Sequence, residues 1–278
     1  MSLHKSSLNT DDINLFCFGL GYTAQHLRPF FPSITGTSRT KTHTTVLFTD
    51  TPSVQKSFEK VTHVLISIPP IESKDIVLIH YLDTLKKMPN LKWIGYLSAT
   101  SVYGDHQGAW VDETSTCSPT TARGKERLNI ENKWLNSGLP IHIFRLAGIY
   151  GKGRSVFDRL KSKSINRIDK PGHLFSRIHV EDIARILKVS MSKPTPGEIF
   201  NVADDLPAES KELIEYACHL LKEPLPSLVP FEKADLSPMA REFYQDNKRV
   251  LNKKVKDFFS LHLKYPTYRE GLLSLLNS

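Results

Sequence analysis

The sequence has few cysteines and no long hydrophobic run, and both deficits exclude classes of protein. Its three cysteines, Cys17, Cys117 and Cys218, lie about a hundred residues apart and form no C-x-x-C pair. Neither a disulfide framework nor a metal site is therefore expected. The longest apolar stretches, such as 64–68, fall far short of the roughly 20 residues that a membrane-spanning helix needs. Residues 1–12 reach two aspartates before any apolar run, unlike a signal peptide, so we expect a cytoplasmic protein without a membrane partner.

Low-complexity tracts and fixed-period repeats are also absent, and the remaining composition is that of an ordinary globular chain. The 278 residues are 40% hydrophobic and 24% charged, and the net charge is +8. Residues 145–193 carry 12 basic and 4 acidic side chains, whereas 1–144 carry 14 and 12, and 194–278 carry 11 and 13. Aromatic residues that could stack on bases are not interleaved with this basic cluster, so a nucleic-acid partner is not expected.

Short apolar runs alternate with helical patterns in the first half of the chain, as in a parallel sheet covered on both faces. The predicted strands are 13–18, 33–37, 46–49, 63–68, 92–98 and 140–145. The predicted helices begin near Tyr22, run over 73–87 and cover 121–136. Right-handed crossovers between such strands give an α/β fold with a doubly wound parallel sheet.

After residue 150 the sequence changes to helices, prolines and polar turns, with one further strand-like run at 199–202. We expect a flexible tail over 1–12 and the doubly wound domain over 13–150. A smaller C-terminal lobe is expected over 151–278, from which 177–203 returns to the sheet.

The first predicted strand ends in a glycine turn, because residues 19–24 read Gly-Leu-Gly-Tyr-Thr-Ala and lead into a helix. In this G-x-G-x-x-A pattern Gly19 permits the tight turn, Gly21 lets the backbone approach a pyrophosphate, and Ala24 allows close helix packing. The pattern predicts a Rossmann fold that binds a dinucleotide; the alternative is a glycine turn without a ligand. The predicted cofactor contacts here are Gly19, Gly21, Tyr22, Thr23 and Ala24.

The end of the second predicted strand indicates which dinucleotide is bound. An acid there would bind the ribose 2′-hydroxyl of NAD, but this chain offers Ser38, Arg39 and Lys41 instead. A guanidinium can hold the 2′-phosphate of NADP through two hydrogen bonds, so NADP(H) is favoured over NAD. Ser67, in the fourth predicted strand, is a further predicted contact. The alternative interpretation of residues 38–41 is a solvated basic loop.

Four further blocks resemble the extended short-chain dehydrogenase/reductases of the NAD-dependent epimerase/dehydratase type. They are LSATSVYGD at 97–105, FRLAGIYGKGR at 144–154, RIHVEDIA at 177–184 and FNVAD at 200–204. With the glycine turn they follow the family's order and cover about residues 13–205. The resemblance implies a Rossmann domain with a substrate lobe, chemistry on a nucleotide sugar, and dimerisation through the third predicted helix.

The chain departs from the family pattern where the family's chemistry is carried. The family places a tyrosine four residues before a lysine on the helix after the fifth strand, and a serine or threonine on the strand itself. Here Arg123 takes the place of the tyrosine, Arg127 that of the lysine, and Ala99 that of the serine, with Thr100 beside it. Guanidinium groups are poor proton carriers near neutrality but can bind ribose or phosphate.

The predicted catalytic residues are therefore Thr100, Tyr103, Arg123 and Arg127. A shifted register, in which Thr121 and Lys125 supply the four-residue spacing, stays open as an alternative. So does a second function, a non-catalytic dinucleotide-binding sensor that has lost the proton-transfer residues.

The basic cluster leads into the predicted substrate lobe and favours a small, anionic, nucleotide-type ligand. Its members expected to be exposed are Arg154, Arg159, Lys161, Lys163, Arg167, Lys170 and Arg177. Arg154 and Arg177 lie within the family-like blocks and are the predicted substrate contacts. The alternative is a solvated face that binds nothing in particular.

Overall fold

The computed structural model of the chain describes residues 12–72, 74–162 and 165–276. The predicted tail lies outside these residues except for Asp12. The strands are β1 (Leu15–Phe18), β2 (Thr35–Ser38), β3 (Thr45–Leu47), β4 (His63–Ile66), β5 (Trp93–Ala99), β6 (Trp110–Val111), β7 (Ile141–Leu146), β8 (Gly148–Tyr150), β9 (Arg167–Asp169), β10 (Arg177–His179), β11 (Glu198–Val202), β12 (Leu228–Pro230) and β13 (Arg249–Val250). The helices are α1 (Tyr22–Gln25), α2 (Thr51–Ser57), α3 (Ile76–Lys86), α4 (Ala122–Leu135), α5 (Val156–Lys161), α6 (Val180–Met191), α7 (Ser210–Leu221), α8 (Pro238–Phe243), α9 (Lys253–Phe259) and α10 (Tyr268–Leu276).

Seven strands form a central sheet in the order β11-β7-β5-β4-β1-β2-β3. β1 pairs in parallel with β2 and β4, β2 with β3, and β4 with β5. The strand order reverses between β1 and β4, and in open α/β sheets ligands bind where the order reverses. The predicted doubly wound α/β fold is confirmed, and β11, which lies in the stretch 177–203, is one of its two edge strands.

The central strands are almost entirely buried because both faces of the sheet are covered. All four residues of β1 and all four of β4 are buried, without the alternation of a half-exposed strand. Helix α3 begins at a cap, because the Asp75 carboxylate accepts the amides of Val77 and Leu78 at 2.8 and 3.0 Å. The other oxygen of Asp75 accepts the indole N–H of Trp134, 2.8 Å away on α4.

Several elements differ from the predictions. The prediction of a single strand-like run after residue 150 is wrong. β9, β10, β12 and β13 also form there, in two-stranded parallel pairs of two or three residues that are too short to show a period. Helix α2 lacks an apolar period, since only Val54 of its seven residues is buried, and it is held by its cap at Asp50. Helix α1 has only four residues, and tighter turns follow it through Pro29.

The chain forms two compact units that alternate along the sequence. The first contains Met1–Ser98, Ile130–Phe144 and Ile183–Ile199, and the second contains Ala99–Asn129, Arg145–Asp182 and Phe200–Ser278. The predicted boundary near residue 150 stays a prediction. In the described ranges, no helix combines the length and the hydropathy that crossing a bilayer requires.

Each unit has its own hydrophobic core. In the first unit, aromatic side chains pack edge to face around Phe18, with the rings of Phe16 and Phe58 centred 5.2 and 5.9 Å from it. The main core of the second unit gathers side chains of α5, α7 and α10 around Tyr150 and Tyr268.

Candidate functional site

The glycine turn after β1 is held by the end of β2. Gly19 has a φ of +83°, and its amide donates to the Thr37 hydroxyl at 3.0 Å. The Leu20 amide donates to the Thr37 carbonyl at 2.8 Å. Gly21 is exposed, and in the described residues no atom lies within 4 Å of the place that a Cβ would take there. The turn therefore presents bare backbone, as a bound pyrophosphate requires.

The structure brings Ser67 to this turn, as the strand order predicts. The Ser67 amide donates to the Phe18 carbonyl at 2.9 Å, and a Cβ on Gly19 would lie 2.7 Å from Cγ1 of Ile68. Thr37 is not among the predicted contacts, although its position at the end of the second strand was visible in the sequence. Thr23 and Ala24 are buried beneath the turn, and Tyr22 is half-buried.

The loop after β2 is ordered by its hydroxyl groups. Ser38 Oγ donates to the Thr40 carbonyl and lies 2.9 Å from Thr45 Oγ1. Arg39 and Lys41 are exposed. The Ser38 hydroxyl therefore shapes the loop, while the two cationic side chains face solvent.

In the second unit, a 3-10 turn at Thr100–Tyr103 follows β5 and buries the Tyr103 ring. The Tyr103 hydroxyl donates to Oδ1 of Asn201 at 2.7 Å and accepts from Nη1 of Arg145 at 3.0 Å. The guanidinium of Arg145 also lies 4.9 Å from the Tyr103 ring centroid. Burial raises the pKa of Tyr103 to about 12, although the Arg145 charge acts in the opposite direction. The phenol is therefore a neutral, fully engaged group near pH 7.

Thr100 has a different environment. Its side chain is half-exposed, and within the described ranges no group forms a hydrogen bond with its hydroxyl. Ala99, the neighbouring residue, has no polar side-chain group. The Thr100 hydroxyl can therefore bind a substrate without first losing an internal partner.

Arg123 and Arg127 lie in the first two turns of α4, whose beginning packs against the Thr100–Tyr103 turn. The Thr121 hydroxyl accepts the Gly124 amide at 3.1 Å, which caps the helix. A Cβ on Gly124 would lie 2.6 Å from the Ser101 carbonyl oxygen, so this glycine permits close contact with the turn. Arg123 is exposed and Arg127 is half-buried, one helical turn apart.

The predicted substrate arginines differ in exposure. Arg154 is exposed, as expected. The expected exposure of Arg177 is wrong: the side chain is buried, and its Nη1 donates to the carbonyls of Phe175 and Ala208 at 2.9 and 3.1 Å. Arg167 and Lys170 are also partly buried, and Lys163 lies outside the described residues.

Arg177 lies near the buried carboxyl group of Asp204, which is not among the predicted site residues. Asp204 is 1% exposed, and its Oδ1 accepts the Leu206 amide at 3.2 Å. Burial raises the pKa of Asp204 to about 8, despite the opposing charge of Arg177, and the nearby Asp205 and Glu270 add to the rise. Its proton is thus held more tightly in the folded protein than in the unfolded chain.

This raised pKa predicts a pH-dependent stability. The stabilising contribution is complete below the unfolded pKa near 4 and is lost as the pH rises through about 8. We expect Asp204→Asn to melt several degrees above the parent at pH 9 and close to it at pH 5, because a buried carboxylate costs a few kcal/mol and each kcal/mol shifts Tm by about 2–4 °C. Calorimetry across this pH range checks the prediction.

The exposed Asp235 offers a matched control, because Asp235→Asn removes a carboxylate that is in water in both states. Its Tm should follow the parent at every pH. Equal pH profiles for the parent and Asp204→Asn would contradict the assignment.

Solved structures share the fold of this chain. dTDP-glucose 4,6-dehydratase from Bacillus anthracis str. Ames, in complex with NAD, is 16% identical with a TM-score of 0.73 and matches 95% of this chain and 96% of its own. Human epimerase family protein SDR39U1 (isoform 2), with NADPH, is 15% identical with a TM-score of 0.74 and matches 95% of this chain and 100% of its own. The fold is therefore that of the NAD-dependent epimerase/dehydratases, the extended short-chain dehydrogenase/reductases.

A functionally unknown conserved protein from Silicibacter pomeroyi DSS is much more similar, with 47% identity, a TM-score of 0.88 and coverage of 95% of this chain and 98% of its own. This chain belongs to the same family as that protein. Protein YeeZ from Escherichia coli strain K12 is 33% identical over 109 residues, which are 38% of this chain and 38% of the length of YeeZ. No protein-family model matches the chain.

Proposed function

We propose that this protein binds NADP(H) and acts as an atypical oxidoreductase or epimerase on a nucleotide-sugar-like substrate. The observation that carries the proposal is the glycine turn, where Gly19 has a positive φ and the space beside Gly21 is open. Such a turn lets backbone amides approach a pyrophosphate. When bound, NADP(H) would donate or accept a hydride. Two solved proteins of this fold hold NADPH and NAD, and the second is a nucleotide-sugar dehydratase.

The preference for NADP(H) over NAD rests on the loop after β2. Arg39 and Lys41 are exposed, and the hydroxyl bonds of Ser38 fix the backbone between them and the strand. A 2′-phosphate would meet two cations here, whereas NAD offers them only a hydroxyl.

Replacing Arg39 tests this preference. We expect Arg39→Ala to raise the Kd of NADPH about 10- to 100-fold and to leave that of NADH unchanged, because charge-assisted hydrogen bonds to one phosphate are lost. Fluorescence titration of both dinucleotides gives the two constants. The exposed Lys92 supplies a control, since Lys92→Ala removes a cation away from this loop. Equal, weak binding of NADPH and NADH by the parent would contradict the proposal.

On the substrate side, the described contacts support different roles for Thr100 and Tyr103. The open hydroxyl of Thr100 suits a group that orients a substrate carbonyl. The Tyr103 phenol is held by Arg145 and Asn201 and supports the turn. Arg123 and Arg127 keep their charge near neutrality and would bind ribose or phosphate rather than transfer a proton.

The exposed Arg154 is the better candidate for an anionic, nucleotide-type ligand, and Arg177 would act through the backbone that it holds. We also propose a homodimer formed through α4 and a cytoplasmic location.

A non-catalytic sensor is the second candidate, favoured by the engaged phenol of Tyr103 and by arginines at the family's tyrosine and lysine positions. Turnover separates the two. NADPH is incubated with the protein and a panel of nucleotide sugars and simple carbonyls, and the absorbance of the reduced nicotinamide is followed to detect its oxidation. Product analysis of the same mixtures detects epimerisation, which leaves the redox state of the cofactor unchanged. Tight NADPH binding without any turnover would favour the sensor.

A further inference from the structure

Residues 246–250, which we name the clamp segment, lie against the loop that follows the Thr100–Tyr103 turn. Strand β13 of this segment pairs in parallel with β6 of the loop. The amides of His106 and Gly108 both donate to the carbonyl of Asn247, at 3.1 and 2.9 Å. A C-terminal part of the second unit is thus bonded directly to the exit of the turn.

The polar groups of Asn247 are all engaged by this arrangement. Its amide donates to Oδ1 of Asp105 at 2.8 Å, its Oδ1 accepts the Leu174 amide at 3.1 Å, and its Nδ2 donates to the Gly172 carbonyl at 2.8 Å. Asn247 therefore fixes the clamp segment to two stretches that are far apart in sequence: its backbone bonds to residues 105–108, and its side chain bonds to residues 172–174.

Lys248 reaches Gly104, the residue that follows the turn. Its Nζ donates to the Gly104 carbonyl at 2.9 Å and lies 3.4 Å from Oδ2 of Asp246. Only 10% of the Lys248 side chain is exposed, and burial lowers its pKa. Asp246 is itself fixed by the Thr120 hydroxyl at 2.5 Å. Burying an ammonium group is costly unless its donors are satisfied, so these two partners hold the side chain in one place.

Gly104 receives this contact at a point where the backbone is closely packed against residue 118. Its φ is +74°, and a Cβ there would lie 1.9 Å from the Ser118 carbonyl oxygen. The preceding carbonyl, that of Tyr103, accepts the Ser118 amide at 3.0 Å. Two successive carbonyls at the exit of the turn are thus held, one by Ser118 and the other by Lys248.

We propose that Lys248 is a positioning residue for the Thr100–Tyr103 turn: by holding the Gly104 carbonyl, it sets the direction of the Thr100 hydroxyl. The link to turnover rests on the proposed function, whereas the effect on the turn does not. Lys248 touches neither substrate nor cofactor in this role and acts through backbone geometry.

Amide hydrogen exchange of the 278-residue chain, followed by NMR, tests this role in Lys248→Met. We expect the amides of His106, Gly108 and Ser118 to exchange at least about tenfold faster, because one charge-assisted hydrogen bond is lost. Lys248→Arg, which keeps a cationic donor, should restore the rates to within about threefold. Lys253→Met is the matched control, since that lysine is exposed and, among the described residues, its ion pair is with Asp257.

A second measurement separates positioning from general stability. With a substrate identified in the turnover screen, Lys248→Met should lower kcat about tenfold or more while the Kd of NADPH stays unchanged. Unchanged exchange at the three amides, equal acceleration throughout the second unit, or no recovery in Lys248→Arg would each overturn the proposal. Failure of the parent to bind NADPH would instead overturn the proposed function and leave the exchange result standing.

Discussion

Gly21→Ala is expected to weaken NADPH binding about 100-fold or more without destabilising the protein. A Cβ at this position meets no atom of the described residues within 4 Å, and the backbone is not in the left-handed region. The methyl group would therefore fit the protein alone but would occupy the space that the pyrophosphate needs. Fluorescence titration gives the Kd, and calorimetry gives the Tm.

Gly19→Ala provides the contrast within the same turn. Its φ of +83° and the 2.7 Å approach of Ile68 Cγ1 oppose a side chain in the protein itself. We expect a loss of about 1–3 kcal/mol in the free energy of unfolding from backbone strain and crowding.

If Gly21→Ala bound NADPH as tightly as the parent, the proposed pyrophosphate position would be refuted.

Thr100→Val should lower turnover about 100- to 1000-fold and leave NADPH binding intact. The substitution keeps the branched shape and removes the hydroxyl that is free to orient a substrate carbonyl. Loss of one preorganised donor at a reacting oxygen has effects of this size. Steady-state kinetics with a substrate from the panel provides the measurement.

The exposed Thr116 is the control for this substitution, because Thr116→Val makes the same chemical change outside the turn. Its kinetics should match those of the parent. Full activity in Thr100→Val would show that the hydroxyl takes no part in the reaction.

The sheet could be predicted from sequence because its strands carry a strong local signal. β1 is an unbroken apolar run, β4 is one after its first residue, His63, and such runs are typical of strands buried on both faces. β9, β10, β12 and β13 lack that signal, since pairs of two or three residues are selected by tertiary contacts rather than by pattern. Helix α2 was missed for a related reason: a single buried side chain gives no period.

Parts of the site could be predicted because they depend on local backbone chemistry. The glycine turn requires glycine at position 19 whatever surrounds it, so a motif identifies it. The burial of Arg177 and the raised pKa of Asp204 depend on which distant segments cover them, and a charge count along the chain contains no such information. The contact of Lys248 with Gly104 joins residues 144 positions apart and has no sequence motif.

The order of strands also has a consequence for synthesis of the protein. A nascent chain that has emerged only to Ser98 contains five of the seven strands of the central sheet, and β5 is then an open edge. Its neighbour β7 follows some forty residues later, and β11 later still. Unpaired edges are the part of a sheet most prone to association with other chains. Until β7 has been synthesised, β5 therefore has an edge without the neighbour that covers it in the folded sheet.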